Sequence, residues 1–156
     1  MQQAESLAVR QSVVVGVPPE RAFEVFTRDI GTWWPLESYT LGAQPAVTAV
    51  IEPRSGGRWF ERAANGTECP WGRVLAYEPP HRLLLSWDIS CDWQPDASAR
   101  SEVEIRFRAH EGGTRVELEH RGLETYGDRA QQMRDTFDSP EGWGGLLTKF
   151  AAVADV

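Results

Sequence analysis

Strict alternation between apolar and charged side chains in two stretches, within residues 102–119, constrains the fold more than any other feature of the chain. The apolar positions are Val103, Ile105, Phe107, Val116 and Leu118. Because side chains alternate across a strand, both stretches are predicted to be β-strands with one buried face. A glycine-containing turn at 110–113 joins them into an antiparallel hairpin.

One register of this hairpin satisfies both faces of the sheet at once. It sets Val103 opposite His120 on the buried face and Arg106 opposite Glu117 on the wet face, where opposite charges form a favourable cross-strand pair. His120 is therefore predicted to point inward at the end of its strand.

The remaining pattern indicates an α+β chain with one more strand before the helices and several after them. Pro18, Pro19 and Glu20 predict the start of a first short helix, and a second short helix runs to Trp34, before Pro35. The other predicted strands are Leu7–Val17, Val47–Ile51, Arg58–Ala63, Thr67–Tyr77 and Arg82–Ser90.

The C-terminal part is predicted to be a long helix that begins with Ser139 as N-cap and has one apolar face. Glycines at its start either admit a ligand or a neighbouring backbone, or make a flexible first turn. The charged stretch Glu124–Asp138 is predicted to be a solvated connection, partly helical at most. We expect a curved antiparallel sheet of about six to seven strands wrapped around this helix.

Seven tryptophans in 156 residues fall mostly in the predicted strands or at their edges. Two interpretations remain open: indole rings that line a cavity behind a curved sheet, and bulky fillers of a tightly packed core. Trp93 differs because it lies in a polar loop, where it is predicted to be a lid or an interface residue.

Length and charge limit the class of protein. The chain is predicted to be one domain over residues 1–156, with its core in about 10–153. A net charge of -7 disfavours nucleic acid and anionic membrane surfaces. The chain shows no targeting segment or long apolar run, so we expect a cytoplasmic protein. Whether it forms a homodimer stays open.

Motifs along the chain resemble one family of small domains. They are Pro18–Phe23 with Phe26, Trp33-Trp34-Pro35, Gly56–Glu61, Gly72-Arg73-Val74, Glu78–Leu83, Ser86-Trp87 and Gly142-Trp143. Each motif is weak, but their order and spacing resemble the homologues of the activator of heat shock protein 90 ATPase. That family lies within the START-like, or SRPBCC, superfamily, which has the helix-grip fold.

The resemblance implies a deep hydrophobic cavity between the sheet and the C-terminal helix, but it does not imply one activity. Relatives of this fold include lipid carriers, hormone-binding proteins, polyketide cyclases and co-chaperone domains. The eukaryotic co-chaperone has an additional N-terminal domain that this chain lacks, which makes chaperone activation doubtful.

Glu61 and His120 are the two candidates for acid–base chemistry. Glu61 shares a strand face with Trp59, so it lies among indoles if that face is the inner one, and on the surface if Phe60 points inward. If Glu61 lies among the indoles, it is expected to bind a ligand or transfer a proton. His120 either contacts a ligand oxygen or is a rim histidine bonded to a backbone carbonyl.

The predicted ligand-binding residues are the inward aromatic and polar side chains. They are Trp33, Trp34, Tyr39, Trp59, Glu61, Trp71, Trp87, His120 and Trp143, with Tyr126 as a weaker candidate. No metal site or cofactor is predicted, because three scattered histidines do not build one. Cys69 and Cys91 are expected to be free thiols, although one register brings them within disulfide reach.

Three functions follow from this reading. The first is a binding protein for a small hydrophobic or aromatic molecule, which the sequence favours over an enzyme. The second is a polyketide-cyclase-like enzyme in which Glu61 and His120 do acid–base work. The third is a partner-binding domain related to the co-chaperone, which would use the outer sheet face.

Overall fold

A single antiparallel sheet of seven strands forms the framework of the protein, in the order β1-β7-β6-β5-β4-β3-β2. The computed structural model describes residues 7–36, 42, 45–96, 98–99 and 101–155. The strands are β1 Val9–Val15, β2 Ala46–Ile51, β3 Arg58–Ala63, β4 Glu68–Glu78, β5 Arg82–Trp87, β6 Ser101–His110 and β7 Gly113–Arg121. The sheet is curled into a half-barrel, which confirms the predicted α+β helix-grip fold.

The described residues also form four α-helices and one 3-10 helix. The α-helices are α1 Pro19–Thr27, α2 Ile30–Trp33, α3 Ala130–Phe137 and α4 Trp143–Ala154, and the 3-10 helix is Leu123–Arg129. The final helix α4 packs against β1, α1 and α2, so it covers the inner face of the sheet. None of the described helices is both long and apolar enough to span a membrane.

The hairpin of β6 and β7 has the predicted register. Val103 lies opposite His120, and Arg106 lies opposite Glu117. The ion pairs differ from the prediction, because Glu117 contacts Arg108 at 2.7 Å, and Arg106 contacts Glu104 at 2.9 Å. Arg108 reaches a diagonal neighbour across the sheet, and Arg106 reaches the residue two positions before it on the same strand.

Two irregularities in β4 place Trp71 and Val74 on the inner face together. The pairing shifts between Trp59 and Phe60 on the β3 side, which leaves Trp71 as an extra residue. It shifts again between Val74 and Ala76 on the β5 side. Simple alternation fails along β4 for this reason, since each bulge changes which residues face the core.

The region before the final helix is more ordered than the sequence indicated. Residues 123–137 form the 3-10 helix and α3, and Ala130, Met133 and Phe137 are buried. The predicted start of the final helix was also wrong. Gly142 is the N-cap, while the Ser139 hydroxyl donates to the carbonyl of Thr136 and therefore closes the end of α3.

Candidate functional site

Six tryptophans form one buried cluster between the sheet and the final helix. Trp34 contacts four of the others, with ring centroids 4.9 Å from Trp71, 5.8 Å from Trp33, 6.1 Å from Trp143 and 6.4 Å from Trp59. Trp87 joins the cluster through Trp59 at 5.7 Å and Trp143 at 5.5 Å. The structure therefore brings together all six tryptophans predicted to bind a ligand.

A short helix with the residue after it, three strands and the final helix hold these rings. Trp33 ends α2 and Trp34 follows it, directly before Pro35, which stops the helix. Trp59, Trp71 and Trp87 come from three adjacent strands, β3, β4 and β5. The sixth, at position 143, is the first residue of α4. Most pairs meet edge to face, the arrangement that aromatic quadrupoles favour.

Glu61 points into this cluster from the strand face that it shares with Trp59, and that shared face is the one alternation predicts. The residue is 2 % exposed, and its Oε1 accepts a hydrogen bond of 2.9 Å from the Trp71 indole N–H. Oε2 accepts a bond of 3.0 Å from the backbone N–H of Gly42. An ionised carboxylate only accepts hydrogen bonds, so a ligand group that contacts Glu61 has to present a donor.

Phe60 faces the other way, which decides between the two orientations considered for Glu61. Its ring lies on the outer face beneath two guanidinium groups, at 4.3 Å from Arg58 and 5.2 Å from Arg62. The ring is still buried, because the arginine side chains cover it. Strand β3 thus buries aromatic rings on both faces and a carboxylate on the inner face alone.

His120 lies deep in the core rather than at its rim. The residue is fully buried, and Nδ1 accepts a hydrogen bond of 3.0 Å from the Trp143 indole N–H. An indole only donates, so Nδ1 carries no proton, and the Nε2–H donates to the Ser101 hydroxyl at 2.9 Å. Ser101 in turn donates to the carbonyl of Trp87 at 3.3 Å.

Burial sets the charge of the imidazole, and its two hydrogen bonds indicate its role. Burial lowers the pKa of His120 to about 3, so the ring is neutral near pH 7. Both nitrogens are engaged by Trp143 and Ser101. We interpret His120 as a positioning residue that holds Trp143 against the cluster, while its predicted catalytic role stays a prediction.

The N–H groups of the indoles differ in whether they have a partner. Trp33 donates to the carbonyl of Val25 at 3.0 Å, and Trp71 and Trp143 donate as described above. Nε1 of Trp59 and Nε1 of Trp87 are buried but have no hydrogen-bond partner within the part of the chain that the structure describes.

The remaining aromatic candidates lie at one end of the cluster or outside the described residues. The Tyr126 hydroxyl donates to the carbonyl of Ile89 at 2.6 Å, and burial raises the pKa of Tyr126 to about 12. Trp93 is 40 % exposed, and its ring meets Phe137 at 5.9 Å. Tyr39 lies outside the residues that the structure describes.

Phe137 and Ser101 are site residues that the sequence reading missed. Phe137 stacks against His120 with ring centroids 4.4 Å apart and also contacts Trp87. The spacing of Ala130, Met133 and Phe137 is a helical signal, hidden by the charged residues between them. Ser101 gives no comparable signal, because a single serine at the start of a strand is common.

The two cysteines are free, and they do not face each other. Cys69 lies opposite Glu61 in the pairing of β3 with β4, so it is beside the carboxylate at the edge of the cluster. Burial, followed by the nearby charge of Glu61, raises the pKa of the Cys69 thiol. No group of three or more potential metal ligands occurs within the described residues.

The glycines that begin α4 allow backbone to approach backbone. A Cβ on Gly142 would lie 2.1 Å from the carbonyl oxygen of Phe137, and one on Gly145 would lie 2.3 Å from that of Pro140. Of the alternatives that the sequence left open, close approach of a neighbouring backbone is the observed one. It sets the position of Trp143 relative to Phe137.

Comparisons with known proteins agree with this architecture. A solved structure described as an anthrahydroquino-Gama-pyrone synthase, Txn09, complexed with SUM, is 42% identical, with a TM-score of 0.64. The match covers 94% of this chain and 96% of that chain. CalC, a self-sacrificing resistance protein from Micromonospora echinospora, is 28% identical with a TM-score of 0.68, covering 95% and 94%.

More distant structures share the fold alone. Protein MLL2253 from Mesorhizobium loti is 21% identical with a TM-score of 0.66, and the match covers 95% of this chain and 96% of that one. No curated protein matches the chain. The model of the Activator of Hsp90 ATPase homolog 1-like protein family matches residues 16–155. The chain therefore belongs to the family of Activator of Hsp90 ATPase homolog 1-like proteins.

Proposed function

We propose that this protein binds a planar aromatic molecule of the polyketide class in a cavity between β3–β5 and α4. The observation that carries the proposal is a carboxylate, Glu61, buried within a wall of six indoles. Indoles offer flat apolar surface to a polycyclic ligand, and a single buried carboxylate orients it. In this proposal the ligand lies against the rings and donates a hydrogen bond to Glu61.

The second candidate function is ring closure on such a ligand, and the 42% identity to a pyrone synthase favours it. A pyrone ring closes without an oxidant when a phenolic oxygen adds to the β-carbon of a conjugated alkynyl ketone. In our scheme Glu61 takes the phenol proton as the carbon–oxygen bond forms. The electron pair moves to the ketone oxygen as an enolate, and the proton returns to the carbon α to that ketone, so the product is an isomer.

Only Glu61, of the two acid–base candidates, is assigned a proton in this scheme. His120 holds Trp143 through Nδ1 and has a low pKa, so it supports the site instead of accepting the phenol proton. The co-chaperone-like alternative stays a prediction. The two thiols are free, which suits the cytoplasmic location that we also propose.

The test uses the purified chain and a hydroxyanthraquinone that carries an unsaturated ketone beside its phenol. Binding is followed by tryptophan emission, and conversion by liquid chromatography with mass detection, which separates isomers of one mass. One-to-one binding with faster isomerisation supports the enzyme, and one-to-one binding without isomerisation supports a binding protein. Absence of saturable binding for this and related planar phenols would overturn the proposed function.

A further inference from the structure

Two donors in the cluster are buried without an acceptor. Trp59 is 1 % exposed and Trp87 is 6 % exposed, and neither indole N–H has a hydrogen-bond partner within the described chain. Their rings are neighbours, with centroids 5.7 Å apart. Native proteins satisfy nearly all buried polar groups, so two unsatisfied donors on adjacent rings require an explanation.

Trp59 lies near a buried carboxylate, Glu61, which accepts hydrogen bonds where an indole donates them. It precedes Glu61 by two residues on the same face of β3, which places the two Cα atoms about 7 Å apart along the strand. An indole N–H only donates, whereas an ionised carboxylate only accepts. A ligand that contacts both groups needs an acceptor oxygen for Trp59 and a hydroxyl donor for Glu61.

We propose that the indole N–H groups of Trp59 and Trp87 bind oxygen atoms of the ligand, which makes the site selective for planar molecules with carbonyl or enolate oxygens. This inference rests on the proposed function and specifies its ligand class as hydroxylated quinones or ketones. Hydrocarbons of the same shape would leave both N–H groups unsatisfied. Selectivity arises because a buried donor without a partner penalises the wrong ligand.

Tyr126 is the competing acceptor for Trp87. Its hydroxyl lies close enough to the Trp87 and Ser101 side chains for both to lower its pKa slightly, against the larger effect of burial. The hydroxyl itself donates to Ile89, and Trp87 Nε1 still has no partner of acceptable geometry. Trp59 has no such neighbouring hydroxyl among its described contacts, so the test treats the two indoles separately.

The test compares two neutral ligands of matched shape, 2-(hydroxymethyl)anthraquinone and 2-(hydroxymethyl)anthracene, which differ in the two quinone oxygens. The wild type is expected to prefer the quinone. Trp59→Phe and Trp87→Phe should each reduce that preference about three- to tenfold, the effect of one lost hydrogen bond. Losses of packing weaken both ligands and cancel in the ratio of their affinities. Trp93→Phe is the control, and it should leave that ratio unchanged.

A second measurement needs no substitution that risks the fold. In a ¹⁵N spectrum of the wild type, the indole N–H signals of Trp59 and Trp87 should move downfield with the quinone and not with the anthracene. A Tyr126→Phe variant that shifts the Trp87 signal without ligand would remove Trp87 from the proposal. Equal responses to both ligands, with an unchanged ratio in Trp59→Phe, would overturn the inference while the proposed function stands. Failure of both ligands to bind would contradict the proposed function itself.

Discussion

Glu61 and Glu104 are buried carboxylates on opposite faces of the same sheet, and the contacts described for the two differ. Glu104, on the outer face, is 6 % exposed and contacts the guanidinium groups of Arg82, Arg106 and Arg121. The described hydrogen bonds to Glu61 come from neutral N–H groups, an indole and a backbone amide. Glu104 is matched by opposite charge, and Glu61 accepts hydrogen bonds from the dipoles of an indole and a backbone amide.

The pKa of Glu104 shows what the outer arrangement does. Burial alone raises it, but hydrogen bonds from Arg82 and Arg121 and the nearby arginine charges outweigh burial, so the pKa is below its ordinary value. A carboxylate so matched is a structural anion. The comparison teaches that burial alone does not mark a functional acid, because the charge of its partners decides what it can do.

The largest expected effect concerns Glu61 and chemistry. If the chain closes a ring, Glu61→Gln removes the group that takes the phenol proton and should slow isomerisation by about 10²- to 10⁴-fold. Glu104→Gln is the matched control and should leave the rate within about twofold of wild type once folded fractions are equal. Initial rates by liquid chromatography measure both. Equal losses in the two variants would erase the distinction between the two carboxylates.

The next largest effect is the pH dependence of stability that arises from His120 on the inner face. The folded pKa of His120, about 3, is below the unfolded value of about 6.5, so the unfolded state binds the proton first as the pH falls. The stability due to neutral His120 is complete above about pH 6.5 and declines by about 1.4 kcal/mol per pH unit below it. Urea unfolding at pH 7 and 5 should differ by about 2 kcal/mol in the wild type, and by less in His120→Asn. A slope that persists in His120→Asn would refute this account.

A smaller loss of stability is expected from the outer face. Glu104→Gln should lower the free energy of unfolding by about 1–2 kcal/mol, because three partly exposed guanidinium groups lose their charged acceptor. The folded pKa is lowered, so this stability is full above about pH 4.3 and is lost as the pH falls below it. Chemical denaturation at pH 7 measures the change. Glu102→Gln, whose carboxylate contacts Arg121 at 3.3 Å and is 41% exposed, is the control and should change stability by less than about 0.5 kcal/mol.

The smallest effect is expected where an ion pair of the outer face is open to solvent. Arg10 contacts Glu119 at 2.9 Å with 63% of its side chain exposed. Arg10→Ala should change the free energy of unfolding by no more than about 0.5 kcal/mol, with the difference vanishing in high salt. Urea unfolding in low and high salt measures it. A loss as large as that of Glu104→Gln would mean that burial does not distinguish these carboxylates.

The sequence predicted the fold well where local pattern and packing agree. Alternation in β6 and β7 set their register, and therefore the inward position of His120. It failed in β4, because the bulges at Trp71 and between Val74 and Ala76 depend on neighbouring strands. It failed again in α3, where Phe137 is separated from Met133 by polar residues that suggested a solvated segment.

The candidate site was only partly readable from the sequence. Alternation placed Glu61 on the same strand face as Trp59, but it did not decide which face was the inner one. The bond between Glu61 and Trp71 was not predictable, because that indole reaches the carboxylate by way of a bulge. The bonds from His120 to Trp143 and Ser101 join residues 23 and 19 positions away, and no local pattern encodes them.

The most direct test of the account is a crystal structure of the protein with a bound hydroxyanthraquinone. The outer face offers a rival position, a groove of about 550 Å³ lined by residues such as Arg10, Arg106 and Glu117. We expect the ring system to lie between β3–β5 and α4. A ligand hydroxyl should donate a hydrogen bond to Glu61, and the Trp59 indole N–H should donate one to a ligand oxygen. A ligand found in the outer groove, with Glu61 and Trp59 uncontacted, would contradict the account.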